Sequence, residues 1–501
     1  MLTKSEVRRM KLGDFLRNKI RNFLHIEPAA NQQIVLQQRL DFYGNIARNK
    51  LWYRGDSWEL SDFYRQLDVS PTLFWKASST KGMEIHKLHT GIPKLIIKTI
   101  GNIILHDYNG LEITEPTAAE QWEKIAEDNK FKKLLKRFLK KILIVGDGAF
   151  KVSFDRTLSG DVPIIEYVSG ENVEFVRSRG RITETVFLAT YTHNNRKYTF
   201  KERYGYGYIL YELYNDNDEP IPTGFIPQTK WVDGQGVGFD KSVMLAVPVI
   251  YGESESYEGR GESLYEGKSD AFDALDEAWS QWMDALRAGR TKEYIPENLI
   301  PRDPDNGKLL KPNSFDNRFI EVAQDMSENS NSKITTGQAQ IQHESYLSTY
   351  ITALDLALQG IISPSTLGID VKKLDNADAQ REKEKATLYT RGNIIELLND
   401  VLPELVIAAV CAGQIWHEQN VEKPTVKVNF GEYANPSFES QVETVSKGKT
   451  GGIMSTEAAV EELYGDSKDD EWKEQEVRRI KEEQGIVTMG DPPAANLDGD
   501  V

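Results

Sequence analysis

The chain has 501 residues, 39% hydrophobic and 28% charged, with a net charge of −16 at pH 7. That length allows about three structural units and an ample core, and the acidity excludes a protein that coats nucleic acid, because tight phosphate binding needs Lys and Arg to displace counterions. A single cysteine, Cys411, leaves no intrachain disulfide and fits a reducing compartment, and the 7 histidines are scattered without any zinc-type Cys/His spacing.

In chain order, residues 1–30 are basic and amphipathic, with Leu12, Phe15, Leu16, Ile20 and Phe23 on one face. They are expected to form a helix that docks at the periphery of an assembly; Glu6 and Asp14 count against an organellar presequence. Gln32 to about Asp128 reads as mainly helical, with aromatics gathered around the Gly55-Asp56 turn. The next segment is strongly basic. Phe131, Leu134, Leu135, Phe138, Leu139 and Ile142 form one stripe, and Lys132, Lys133, Lys136, Arg137, Lys140 and Lys141 form the other. Such a face suits nucleic acid or an acidic partner, and equally a solvated surface. From Gly148 to about Tyr214 the pattern alternates and is rich in Val, Ile, Tyr, Phe and Thr, with turns at Ser159-Gly160, Arg179-Gly180 and Asn194-Asn195, which predicts an antiparallel meander. Pro-rich connectors follow over Pro220–Pro227, then an apolar run over Val243–Ile250.

Two helical segments, Glu262–Arg290 and Gln342–Gln359, flank a Pro/Asn-rich stretch. In the first, Phe272, Leu275, Trp279, Trp282, Met283 and Leu286 fall within about a 100° arc, at the spacing of helices packed side by side. Asp270, Asp273, Asp276, Glu277 and Asp284 fall together on the adjoining flank. The arc is expected to meet a partner, because two Trp residues on adjacent turns need one. Between the segments, prolines 296, 301, 304 and 312 forbid a long helix and predict a small insert with short strands. After the second segment, Pro364 ends the helix, and a loop leads into a long charged-then-apolar helix that Pro403 should kink. The remainder predicts one strand in TVKVNFGEY, three helical segments, and a tail without apolar periodicity. No apolar stretch reaches the roughly 18 residues of a membrane span.

Catalytic signatures are missing. Gly448-Lys449-Thr450 has the ending of a phosphate loop, but Glu443 stands where its first glycine belongs and would repel phosphate. No G-x-S-x-G elbow is present, Tyr204–Tyr208 reads as a glycine-aromatic hairpin, and no cofactor is implied.

The segments GESLYEGKSDAFDALDEAWSQWMDAL, ALDLALQGIISPSTLGID with NADAQREKEKATLYTRGNIIELL, and VKVNFGEYANPSFESQVETVSKGKTGGIMSTEAAVEELY occur in an order that resembles the portal proteins of tailed double-stranded DNA phages, closest to those of siphophages infecting Gram-positive bacteria. The resemblance implies an α+β, mainly helical portal fold. Its parts would be an N-terminal amphipathic helix over 1–30, a wing of helices plus the meander over 31–260, stem helix 1 over 261–290, a clip over 291–341 and stem helix 2 over 342–360. A tunnel loop over 361–380, a long kinked helix and wing return over 381–430, crown helices over 431–485 and a disordered tail over 486–501 would follow. It implies a non-enzymatic ring, usually of twelve subunits, at a capsid vertex, through which double-stranded DNA is packaged and ejected. Its partners would be the terminase motor, the head–tail adaptor, scaffold and major capsid proteins, with no membrane. On this reading Phe272, Leu275, Trp279, Trp282 and Leu286 pack between neighbouring stems, and Asp270, Asp273, Asp276, Glu277 and Asp284 line the channel. Lys372 and Lys373 of the tunnel loop make brief phosphate contacts. A tail or baseplate subunit, or a packaging ATPase, are the competing readings.

Overall fold

The computed structural model of the chain describes residues 40–67, 72–78, 85–155, 157–232, 236–296, 303–307, 319–322, 335–338, 340–369, 377–431, 438–464 and 470–483. Two compact units divide it, Met1–Asn45 and Ile46–Val501. Of the first, only residues 40–45 are described, so the expected helix over 1–30 lies outside the described residues, as do the tail and Lys372 and Lys373.

Helices α1 (Phe42–Arg54), α2 (Ser57–Gln66) and α3 (Ile92–Asp107) come first. Asp56 caps α2 by accepting the N–H groups of Trp58 and Glu59. Strand β1 (Tyr108–Ile113), α4 (Pro116–Asp128) and the basic helix α5 (Phe131–Val145) follow. Every residue of the predicted apolar stripe of α5 is buried and all six cations are exposed, as the period of that segment requires. Gly146 ends α5 at φ 100°, and a Cβ there would meet the backbone of Gly261 and Glu262 within 2.7 Å. Glycine is required on both counts.

The alternating region forms strands as predicted but divides them between two sheets. Strands β2 (Asp147–Ser153) and β3 (Ile164–Ser169) pair with the later strand β10 (Ala246–Ile250) in the order β10-β2-β3, all antiparallel. Strands β4 (Val173–Ser178), β5 (Arg181–His193), β6 (Arg196–Gly205), β7 (Tyr208–Tyr214) and the short β8 (Pro220–Ile221) form the antiparallel meander, with β9 (Gly236–Gly238) on β7.

Helix α6 (Ser269–Ala288) leads into a small sheet of β11 (Lys292–Pro296), β12 (Phe319–Val322) and β13 (Thr335–Gly337), with β11 central, parallel to β12 and antiparallel to β13. This is the insert with short strands that the prolines predict. Helix α7 (His343–Leu358) returns, and α8 (Ala377–Trp416) runs through Pro403, beginning before the predicted residue 381. Strand β14 (Val426–Phe430) pairs with β1, so one chain segment past α8 closes against another more than 300 residues earlier, as the Ile113–Val426 pairing shows. Helices α9 (Phe438–Thr450), α10 (Thr456–Tyr464) and α11 (Asp470–Glu483) complete the described chain.

The core of the larger unit joins α3, α5, α8 and the β10-β2-β3 sheet, through residues such as Ile96, Phe138, Phe150, Val249, Leu402 and Val406. Cys411 lies buried in α8, and burial pushes its thiol pKa up to about 11. A thiol reagent at pH 8 is therefore expected to label it only on unfolding. Rapid stoichiometric labelling of the native chain would contradict this packing.

Two partly buried ion pairs tie distant segments. Arg391 of α8 donates through Nε to Asp107 at 2.7 Å and through Nη2 to the Gly431 carbonyl, joining α8 to the ends of α3 and β14. Arg260 holds Asp147 from two sides, Nε 2.9 Å from Oδ2 and Nη2 3.2 Å from Oδ1, and Gly261 N–H also donates to Oδ2. Burial nevertheless pushes the Asp147 pKa up to about 6, against the opposing pull of Arg260. Arg260→Leu would leave an uncompensated carboxylate, costing about 3 kcal/mol at pH 7.5. With the cation gone, the folded-state pKa rises further above the unfolded value. The folded form then binds the extra proton, and stability is lost as pH rises through that pKa. Urea unfolding of the variant should accordingly show a smaller deficit at pH 5 than at pH 7.5; an equal deficit at both would contradict the assignment.

Candidate functional site

The helical hairpin of α6 and α7 is where the sequence places its largest set of functional residues, and its apolar arc divides in two. At the base, Phe272 and Leu275 are buried in the larger unit, Phe272 with ring centroids 5.6 Å from Trp52 and 5.5 Å from Tyr265. These two residues are thus core, which corrects the expectation that they face a neighbouring subunit. Further along, Trp279 and Trp282 meet edge-on at 5.9 Å, and both rest on Tyr350 of α7 at 5.5 and 6.2 Å. The partner that two Trp residues require is, first of all, the returning helix of the same chain. Leu286 remains 43% exposed. Lys268 locks the base of the hairpin by donating to the carbonyls of Leu356 and Gln359 at 3.2 and 2.6 Å, where the C-terminus of α7 carries partial negative charge.

The acidic flank also divides. Asp273 accepts the backbone N–H groups of Phe74 and Trp75 at 2.9 and 3.2 Å. Burial raises its pKa, opposed by those two donors. Asp276, 1% exposed, accepts from Thr90 N–H and Oγ1–H, both at 2.8 Å, and from Trp75 Nε1–H at 3.2 Å, and it lies 2.7 Å from His89 Nδ1. Ser280 takes part on the next turn, accepting the Leu88 N–H at 2.9 Å. The two aspartates thus clasp the segments around Trp75 and His89 onto the start of α6. They are not available to line a channel, which corrects that expectation for Asp273 and Asp276. A carboxylate in so dry a place persists because several donors replace its water. Of the remaining three, Asp270 is exposed, and Glu277 and Asp284 are half-buried, with Glu277 accepting from Gln281.

Periodicity and motifs do not mark the clasp residues Phe74, Trp75, His89 and Thr90. One signal bears on them: a buried indole needs an acceptor for its N–H, and Trp75 has a carboxylate as that acceptor only across a long sequence separation.

Small and polar side chains, among them Ala271, Ala274, Ala278, Thr349 and Thr352, line a groove of about 460 Å³ along the hairpin. Beyond α7, a set of hydroxyls anchors the start of the connecting loop. Thr387 Oγ1 accepts the Ser363 N–H at 2.9 Å, Thr390 Oγ1 donates to the Ile361 carbonyl at 2.7 Å, and Ser363 and Ser365 hydroxyls are 2.6 Å apart. Of the tunnel loop expected over 361–380, residues 377–380 already belong to α8, and 370–376, which include Lys372 and Lys373, lie outside the described residues.

Among the described residues, no group of three or more His, Cys, Asp and Glu could hold a metal ion, and no helix is long and apolar enough to cross a membrane. Gly448–Thr450 forms the end of helix α9, which has none of the strand–loop–helix geometry of a phosphate loop.

Two packed helices flanking a small inserted sheet, rooted in a mixed helix-and-sheet body, define a structural scaffold of the α+β class. The chain belongs to the phage portal proteins of the SPP1 Gp6-like family, whose family model matches residues 32–486. Among solved structures it is similar to a chain in the "Virion of native gene transfer agent (GTA) particle", at 14% identity and TM-score 0.36, covering 87% of this chain and 99% of that one. It is also similar to chains in the "Neck of native GTA particle computed with C12 symmetry" (12% identity, TM-score 0.35, covering 74% and 89%) and the "Neck of empty GTA particle computed with C6 symmetry" (13% identity, TM-score 0.33, covering 75% and 90%). No curated protein matches the chain.

Proposed function

We propose that the chain is one subunit of a closed, non-enzymatic ring of about twelve copies, set at a capsid vertex of a tailed-phage virion, through which double-stranded DNA enters on packaging and leaves on ejection. Membership of the portal family over residues 32–486 is the observation that carries this reading. On it, residues 31–260 with the return over 381–430 form the wing, α6 and α7 the stem, the β11–β13 insert the clip, and α9–α11 the crown. The host type is that of siphophages of Gram-positive bacteria. Terminase, head–tail adaptor, scaffold and major capsid proteins are its partners.

The hairpin supports a division of labour. Asp270, Glu277 and Asp284, the acidic residues left at the surface, face the channel. A negative wall disfavours phosphate binding and lets DNA slide, where a basic wall would hold it. Neighbouring hairpins pack through Leu286, the outer edges of Trp279 and Trp282, and the groove of small side chains, which admits the bulky residues of an adjacent helix. On the same reading, Lys372 and Lys373 of the tunnel loop expected over 361–380 touch the passing backbone.

Mass photometry of the purified chain tests the assembly. A species of roughly twelve times 56.9 kDa is expected. Only monomers or open-ended polymers at all concentrations would overturn the ring, and ATP hydrolysis by the pure protein would favour a motor instead.

A further inference from the structure

Helix α5 holds six cations and no carboxylate, within a chain of net charge −16. Lys132, Lys133, Lys136, Arg137, Lys140 and Lys141 are all exposed, while the opposite face is buried from Phe131 to Val145, so the helix cannot turn them elsewhere. None of the six is in an ion pair among the described residues, whereas Lys151 nearby in the chain is paired with both Glu166 and Glu202. At i,i+4 spacing these like charges repel one another. They form successive rungs about 6 Å apart along the helix axis, a pattern whose repulsion a polyanionic partner would relieve.

Beside the C-terminal end of this row runs a groove of about 540 Å³ between α1 and α5. Ile144 and Val145 form its floor, and Ala47, Leu51 and Tyr53 its sides. Lys140 belongs to both features, since its ammonium sits 4.8 Å from the centre of the Tyr53 ring. The other cations on the rim, Lys50 and Arg54, already pair with Glu171 and Glu59, which leaves Lys140 and Lys141 as the rim cations without an ion pair among the described residues. A phosphate backbone would use the cations but has no aliphatic side chain for the groove. A helix with carboxylates on one face and an apolar side chain beside them would use both. From this juxtaposition we infer that α5 and the adjoining groove form a docking site for an acidic amphipathic helix of a partner protein. The inference does not depend on ring formation.

The test is fluorescence anisotropy with the full-length chain and a labelled synthetic helix of about 15 residues, matched in length to α5, with Glu on one face and Leu on the other. A shuffled peptide of the same composition and a short DNA duplex are the comparison probes. The amphipathic peptide is expected to bind about tenfold more tightly than the shuffled one, and less tightly as salt rises. The triple variant Lys136→Glu, Arg137→Glu, Lys140→Glu should weaken binding by at least about tenfold. So should Ala47→Trp, which fills the groove from an exposed position. All these substitutions are at exposed residues, so the circular dichroism melt should be unchanged. The proposal is overturned if the amphipathic peptide does not bind, if the shuffled peptide binds equally, or if Ala47→Trp has no effect. Tighter binding of the duplex, sensitive to charge reversal alone, would also overturn it and make the face a phosphate surface.

Discussion

Asp276→Ala is expected to destabilise the chain by on the order of 4 kcal/mol, although the sequence pattern marks this residue as one of five similar acids on a helix flank. The substitution removes the shared acceptor of Trp75 Nε1–H, Thr90 N–H and Thr90 Oγ1–H, together with the carboxylate beside His89 Nδ1. Hydrogen bonds to a charged group contribute more than neutral ones, and buried donors left without a partner bear their full desolvation cost. Asp270→Ala, on an exposed position of the same helix, should stay within about 0.5 kcal/mol of the parent. Urea unfolding followed by Trp fluorescence separates the two, because Trp75 sits in the clasp. Limited proteolysis should also open the segment around residues 85–90 in the Asp276 variant first. Equal midpoints for the two variants would mean that the clasp is not formed.

Trp279→Ala with Trp282→Ala is the second large effect. Each ring is half-buried against the other and against Tyr350. Their apolar area and the aromatic pairing together amount to about 3–5 kcal/mol. The loss falls on the hairpin, since neither Trp reaches the core that Phe272 and Leu275 enter. Strand signals in the far-ultraviolet spectrum should persist while the aromatic near-ultraviolet signal falls. On the proposed ring, assembly measured by mass photometry should shift to smaller species at concentrations where the parent is fully assembled. Unchanged stability and unchanged assembly would sink both the packing and the interface role.

Local pattern carried much of the fold. The hairpin helices lie within the segments read for them, because apolar residues at helical spacing bury one face regardless of what comes before or after. The basic helix and the strands over 148–214 follow from the same periodicities. What the sequence could not supply was pairing over long separation. Strand β1 reads as helical chain because its partner β14 comes after α8, and β2 and β3 read as part of one meander because β10, which draws them into a separate sheet, comes after it. The same limit explains the acidic flank. Helical spacing puts Asp273 and Asp276 beside Asp270 and Glu277, but only the packing of Phe74, Trp75 and Thr90, almost 200 positions away, decides which are solvated and which are buried acceptors. The Trp pair shows a milder case. Its need for a partner was legible, and Tyr350 of the same chain meets that need before any neighbour does.

An electron-microscopic reconstruction of the assembled protein tests the central claim most directly. The expected result is a closed ring with an open central channel, its wall formed by the α6–α7 hairpins with Asp270, Glu277 and Asp284 toward the lumen. Sheets, tubes or lone subunits, or a ring whose hairpins point away from the channel, would contradict it.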